Sequence, residues 1–144
     1  MLSNTCKYAV RAVLYLAVYD GLGNKIGIKQ ISKDLDIPSP FLGKILQILV
    51  RHRILSSTKG PNGGFSLGRD PKDIFLMDVV QVIDGMDSFH KCVIGVTYCS
   101  EQVNPCALHT RYASLREEIR IIFEHETIEG LIKDSKAGTP GYLI

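Results

Sequence analysis

The stretch that decides the fold runs from Ile28 to Leu67. It opens Ile28-Lys29-Gln30-Ile31-Ser32-Lys33-Asp34-Leu35-Asp36-Ile37-Pro38-Ser39-Pro40-Phe41-Leu42-Gly43-Lys44-Ile45-Leu46-Gln47-Ile48-Leu49-Val50-Arg51 and closes Ile54-Leu55-Ser56-Ser57-Thr58-Lys59-Gly60-Pro61-Asn62-Gly63-Gly64-Phe65-Ser66-Leu67. Ile28, Ile31 and Leu35 recur at helical spacing and predict a short helix from Ile28 to Leu35. Asp36-Ile37-Pro38 reads as a tight turn. Ser39 suits the N-cap of the next helix, and Pro40 its first position, where a missing N–H costs nothing. Phe41, Leu42, Ile45, Leu46 and Leu49 give that helix an apolar face to about Arg51, leaving Gly43, Lys44, Gln47 and Val50 outward. Two short helices joined this way form a helix-turn-helix. The two short runs after it flank a Gly/Pro/Asn tip and predict a β-hairpin, which makes the unit a winged helix-turn-helix.

Outward from this unit the pattern stays helical. Asn4 to Tyr19 predicts a mostly buried helix, capped by Asn4 or Thr5, with a loop at 20–24. Leu76, Val79, Val80 and Ile83 predict a further helix closed by Asp84-Gly85. Periodicity fails from Met86 to Pro105. Leu108, Tyr112, Leu115, Ile119 and Ile122 then form an a/d seam, which suits packing on the chain's own core or, the preferred reading, pairing with a second copy. Thr127, Ile128, Leu131 and Ile132 give a last helix, and 138–144 a tail. The expected fold is mainly α with a small β-hairpin wing. It comprises a winged helix-turn-helix part over 1–85, a cysteine-bearing loop over 86–105, dimerisation helices over 106–137 and the tail.

The chain has 144 residues, 45% hydrophobic and 22% charged, which fits one globular domain and argues against disorder. No apolar run approaches the ~20 residues of a membrane span, and Lys7 and Arg11 interrupt the N-terminal apolar stretch where a signal peptide would be uncharged. A cytoplasmic protein without a membrane partner is expected. The net charge of +2 hides a split: residues 1–69 carry ten Lys/Arg against three acids, and residues 70–144 seven against twelve. A basic half carrying a helix-turn-helix points to double-stranded DNA.

The residues placed to read base edges are Ser39, Pro40, Phe41, Gly43, Lys44 and Gln47. Arg51 and Arg53, with Lys59 at the hairpin base, suit phosphates, and Gly60, Pro61, Asn62 and Gly63 form a tip able to approach a minor groove. No catalytic triad, acid/base carboxylate pair or nucleotide fingerprint is visible, so no enzyme is expected. Cys92, Cys99 and Cys106 are each separated by six residues, and two residues separate Cys106 from His109. Three thiols and an imidazole can complete the ligand set of an iron–sulfur cluster or of zinc. His90 competes as the imidazole ligand. Cys6 reads as core unless a partner subunit approaches it. An electron-transfer protein using the same cluster is a lesser alternative, because it would need no basic helix-turn-helix.

The chain resembles the Rrf2 family of winged-helix regulators of the IscR and NsrR type. The resemblance rests on Lys7-Tyr8-Ala9-Val10-Arg11-Ala12, on Ile37-Pro38 through Phe41-Leu42, on Lys59-Gly60-Pro61-Asn62-Gly63-Gly64-Phe65, on Val79-Val80 to Asp84-Gly85, and on the three cysteines. It implies a homodimeric transcription factor, paired through the long C-terminal helix, that binds a near-palindromic operator. It also implies an iron–sulfur cluster, 2Fe–2S in the favoured form and 4Fe–4S in the other, held by Cys92, Cys99, Cys106 and a variable fourth ligand that corresponds to His109 in IscR-like members. Some members of the family carry no cluster and respond to a metabolite or a partner protein. The cysteine spacings are each one residue longer than in IscR-like members, and Gly43 stands where some relatives have a polar reader.

Overall fold

The computed structural model describes residues 2–19, 23–92, 94 and 105–134. Residues 20–22, Cys99 with most of its loop, and the tail lie outside the described residues. The elements run α1 (Asn4–Tyr19), α2 (Ile28–Leu35), α3 (Ser39–Arg51), β1 (Leu55–Thr58), β2 (Gly64–Leu67), α4 (Leu76–Ile83), α5 (His109–His125) and α6 (Ile128–Asp134). Short 3-10 turns occupy Pro71–Asp73 and Met86–Phe89.

α1 is the central pillar, lying against α3, α4, α6 and β2. Its Ala9, Ala12, Val13 and Leu16 are fully buried with Ile31, Leu35, Leu42, Ile45, Leu46, Leu49 and Ile54 in one core. Neither Asn4 nor Thr5 caps this helix. The Ser3 hydroxyl accepts from the Cys6 N–H at 3.0 Å and donates to Asp84, so the cap also ties α1 to the end of α4.

The helix-turn-helix forms where expected, with one shift. Ser39 is already helical and Pro38 is the N-cap, without a side-chain cap bond. The turn is secured instead by Ser32, whose hydroxyl donates to the Ile37 carbonyl at 2.6 Å, and by Asp36, which closes α2 in the left-handed region at φ 53°. α3 ends similarly: Arg53 sits at φ 60°, while Ile54 N–H returns to Leu49 O at 3.0 Å.

The hairpin pairs antiparallel, Leu55 with Leu67 and Thr58 with Gly64. It gains a third partner from the loop before α2. Ile26 N–H donates to Phe65 O at 2.9 Å, and Phe65 N–H donates to Ile26 O at 2.8 Å. Lys25 adds a hydrogen bond to the Thr58 hydroxyl. The wing is therefore fastened beside α2 and α3.

α6 belongs to the same packed body. Ile128 is fully buried in the main core, its N–H donates to Ile74 O, and Leu76 N–H donates to Glu126 O. α5 has a single buried residue, His109. One side of it, through Ile119 and Phe123, packs on a second small core of Cys6, Met77, Val80 and Phe89. Among the described residues no helix is long and apolar enough to cross a membrane.

Candidate nucleic-acid interface and thiol site

α3 buries Leu42, Ile45, Leu46 and Leu49, and its periodicity turns Lys44, Gln47 and Arg51 out to solvent together. Phe41 departs from the apolar face assigned to it: it is 39% exposed, its ring edge against Tyr8 of α1 with centroids 5.8 Å apart. Ser39 and Gly43 are half-buried, and Pro40 is exposed. Pro40, Gly43, Lys44, Gln47 and Arg51 line an open groove of about 650 Å³ with Ile28 and Phe65. α3, the start of α2 and the wing base thus frame one concave surface. Its floor is apolar and its rim carries two cations and an amide. Such a surface offers hydrogen-bond donors to base edges and phosphates and apolar contact to a thymine methyl.

The structure keeps Lys59, Gly60, Pro61 and Asn62 exposed at the wing tip, with Gly63 half-buried. Arg53 is exposed at the end of α3. Lys25 was not among the residues singled out by sequence. Its hydrogen bond to Thr58 places a further cation at the wing base, and only the long-range Ile26–Phe65 pairing reveals it.

The second site lies at the start of α5. Cys92 Sγ and Cys106 Sγ stand 3.2 Å apart, much farther than a disulfide's 2.0 Å or so. Cys106 precedes α5 by one turn, and its carbonyl accepts the His109 N–H at 2.9 Å. His109 is 6% exposed. The structure thus brings two of the three predicted thiols together at the helix start where His109 begins. Among the described residues no group of three candidate ligands forms, and Cys99 lies outside them. Two soft sulfur donors beside an imidazole-bearing helix start fit a cluster or zinc as far as they go.

The rival ligands are engaged elsewhere. His90 is exposed, with Nδ1 2.9 Å from Met86 O. Cys6 is fully buried in the second core, and burial with the nearby Asp84 charge pushes its thiol up to about 12. It is a packed core thiol, away from the solvent a partner subunit would arrive through. Arg116 of α5 reaches the His90 and Lys91 carbonyls at 3.4 Å each, and Phe89 meets Phe123 edge-on at 5.7 Å. The backbone entering Cys92 is therefore held to α5 at Phe89 and at the His90 and Lys91 carbonyls.

The family model described as Rrf2, iron-dependent transcriptional regulator, matches residues 2–134. The chain belongs to the Rrf2 family. It is 34% identical over 131 residues to an Aquifex aeolicus protein whose name places it among HTH-type transcriptional regulators, covering 90% of each chain. It is 28% identical to the HTH-type transcriptional regulator IscR of Xenorhabdus nematophila, covering 94% of this chain and 80% of the other. Among solved structures, the fold resembles CymR, the global cysteine regulator of B. subtilis, with a TM-score of 0.74, 20% identity and coverage of 92% and 96%. It also resembles T. potens IscR, with a TM-score of 0.70, 20% identity and coverage of 94% and 88%. The chain is a transcriptional regulator of the Rrf2 family with a winged-helix fold. Its relatives are regulators, not enzymes.

Proposed function

We propose that this Rrf2 chain acts as a homodimer that binds a near-palindromic double-stranded DNA operator through α3 and the wing. We further propose that an iron–sulfur cluster held by Cys92, Cys99, Cys106 and His109 modulates that binding. The observation that carries the DNA reading is the framed surface on which Lys44, Gln47 and Arg51 flank one groove with the wing fastened beside it. In this reading Lys44 and Gln47, with Ser39, Pro40, Phe41 and Gly43, meet base edges. Arg51, Arg53 and Lys59 meet phosphates, and 60–63 enters the adjacent minor groove.

The dimer reading rests on α5. Leu115 and Ile122, one heptad apart, are each 53% exposed, and Ile121 is 44% exposed. An apolar stripe of this kind is what a second copy would cover.

The cluster reading rests on the Cys92–Cys106 approach and on the IscR-named relative. A bound cluster would supply one-electron redox chemistry and sensitivity to oxidants. The protein's part is mechanical. Cys92 leaves a turn anchored by buried Phe89, and Cys106 leads into α5, so a change in the thiol site bears on the α4–α5 packing. Operator affinity then depends on how differently the two states hold the DNA-competent dimer. The same donors suit zinc, which gives the second reading, a regulator with a zinc site.

The test is anaerobic purification with the visible spectrum, iron, sulfide and zinc content, repeated for Cys92→Ala, and operator binding measured in both states. Iron and sulfide lost in the variant, with altered operator affinity, support the cluster reading. An iron-free protein that retains stoichiometric zinc supports the zinc reading and refutes the cluster.

A further inference from the structure

Cys92 and Cys106 hold a chemistry that needs no metal. We propose that, when no metal occupies the site, these two thiols form a reversible intramolecular disulfide that records exposure to a hydroperoxide. Three observations carry this. The sulfurs are already 3.2 Å apart, so closing to bonding distance takes a shift of about an ångström. Both side chains are half-buried rather than sealed, unlike Cys6, so a small oxidant reaches them. The two cysteines enter from separate supports, the turn Met86–Phe89 on one side and the start of α5 on the other. Arg116 holds the backbone before Cys92 against α5, which keeps the encounter frequent.

The step balances with a hydroperoxide as the oxidant. One thiolate attacks the peroxide oxygen, the O–O bond breaks, and the sulfur becomes a sulfenic acid as water or an alcohol leaves. The second thiolate attacks that sulfur, the S–O bond breaks, and the hydroxyl leaves as water with the second thiol's proton. The two sulfurs together give up two electrons, and the peroxide takes them. A dithiol reductant reverses the reaction by thiol–disulfide exchange. The product joins residues 92 and 106 covalently and removes two of the donors a metal would need.

The inference rests on the thiol contact and does not require the cluster. Its test uses the full chain, anaerobically stripped of metal with a chelator and then treated with stoichiometric hydrogen peroxide. Products are read by intact mass and non-reducing peptide mapping. The expected result is a chain without a covalent link to a second copy, lighter by two hydrogens, with Cys92 and Cys106 peptides joined, restored by dithiothreitol. Cys99→Ser should behave the same, whereas Cys92→Ser and Cys106→Ser should each lose the product. Cys99 pairing with either partner, a cross-link between chains, or added oxygen without a disulfide overturns the proposal. Iron and sulfide content of the untreated protein is a separate readout, so failure of the cluster reading and failure of this one are distinguishable.

Discussion

Replacing Gly64 by Ala tests whether the wing is fastened as described. Gly64 sits at φ +152°, and a Cβ there would lie 2.7 Å from both the carbonyl carbon and oxygen of Ile26. These are backbone atoms, so no side chain can swing away. Holding Ala in this rarely adopted conformation costs about 1–3 kcal/mol and still leaves the contacts with the Ile26 backbone unrelieved, so the chain must release the Ile26–Phe65 bridge. Release gives up two hydrogen bonds of 2.8 and 2.9 Å, at about 1 kcal/mol each. It also uncovers part of Phe65, whose full exposure would cost roughly 1.5–3 kcal/mol. Bridge release thus leads to a loss of about 3 kcal/mol. Gly60→Ala is the internal control. Gly60 has φ +107° with nothing near its missing Cβ, so its cost is conformational alone, about 1 kcal/mol after the unfolded-state gain. Urea unfolding with an unchanged slope measures both. The expected difference is about 2 kcal/mol, with Gly64→Ala the worse. Equal midpoints for the two variants would refute the claim that Ile26 anchors the wing.

Leu115→Glu, paired with Ile122→Glu, should convert a dimer to a folded monomer in sedimentation, with helicity retained; an unchanged dimer would refute α5 as the pairing face. Hydrogen bonds from Gln30 and then from the Tyr15 hydroxyl hold Asp34 below the usual carboxylate range. A depressed carboxylate stabilises above its unfolded pKa, and that contribution is lost as pH falls through the folded value. Asp34→Asn should therefore flatten the acid limb of the stability–pH curve below about pH 4, and an unaltered limb would contradict the pairing. In native protein treated with a chelator, Cys92 and Cys106 should react with an alkylating reagent well before Cys6, whose buried thiol is pushed up to about 12. Comparable rates at Cys6, read by peptide mass, would show that the second core opens readily.

Local signals made most of this fold legible. Apolar residues at helical spacing marked α1 through α4, since each helix buries one face on the same core. The turn residues Gly60, Pro61 and Asn62 marked the hairpin. What escaped is non-local. Ser3 caps α1 because Asp84, 81 residues away, holds it. Ile26 joins the wing only because the loop before α2 folds back to Phe65. Phe41 reads as core by period, yet it is partly exposed and packs its ring perpendicular to that of Tyr8. The turn Met86–Phe89 is too short for periodicity and is fixed by burying Phe89 among Cys6, Met77 and Val80. At the thiol site the residue types were visible from spacing, whereas the meeting of Cys92 and Cys106 depends on α5 packing on α4.

In the proposed function, α3 and the wing form the DNA-reading surface. Its most direct test is selection of bound fragments from a random double-stranded library, with the protein as purified anaerobically and again after treatment with a chelator. The result predicted is an enriched near-palindromic site in at least one state. Its half-sites should lie about one helical turn apart, and the preferred bases should change in Lys44→Ala. In Arg51→Ala all sequences should weaken alike, with a shallower dependence on salt. A library with no enriched sequence in either state, or an enriched site indifferent to both substitutions, would contradict it.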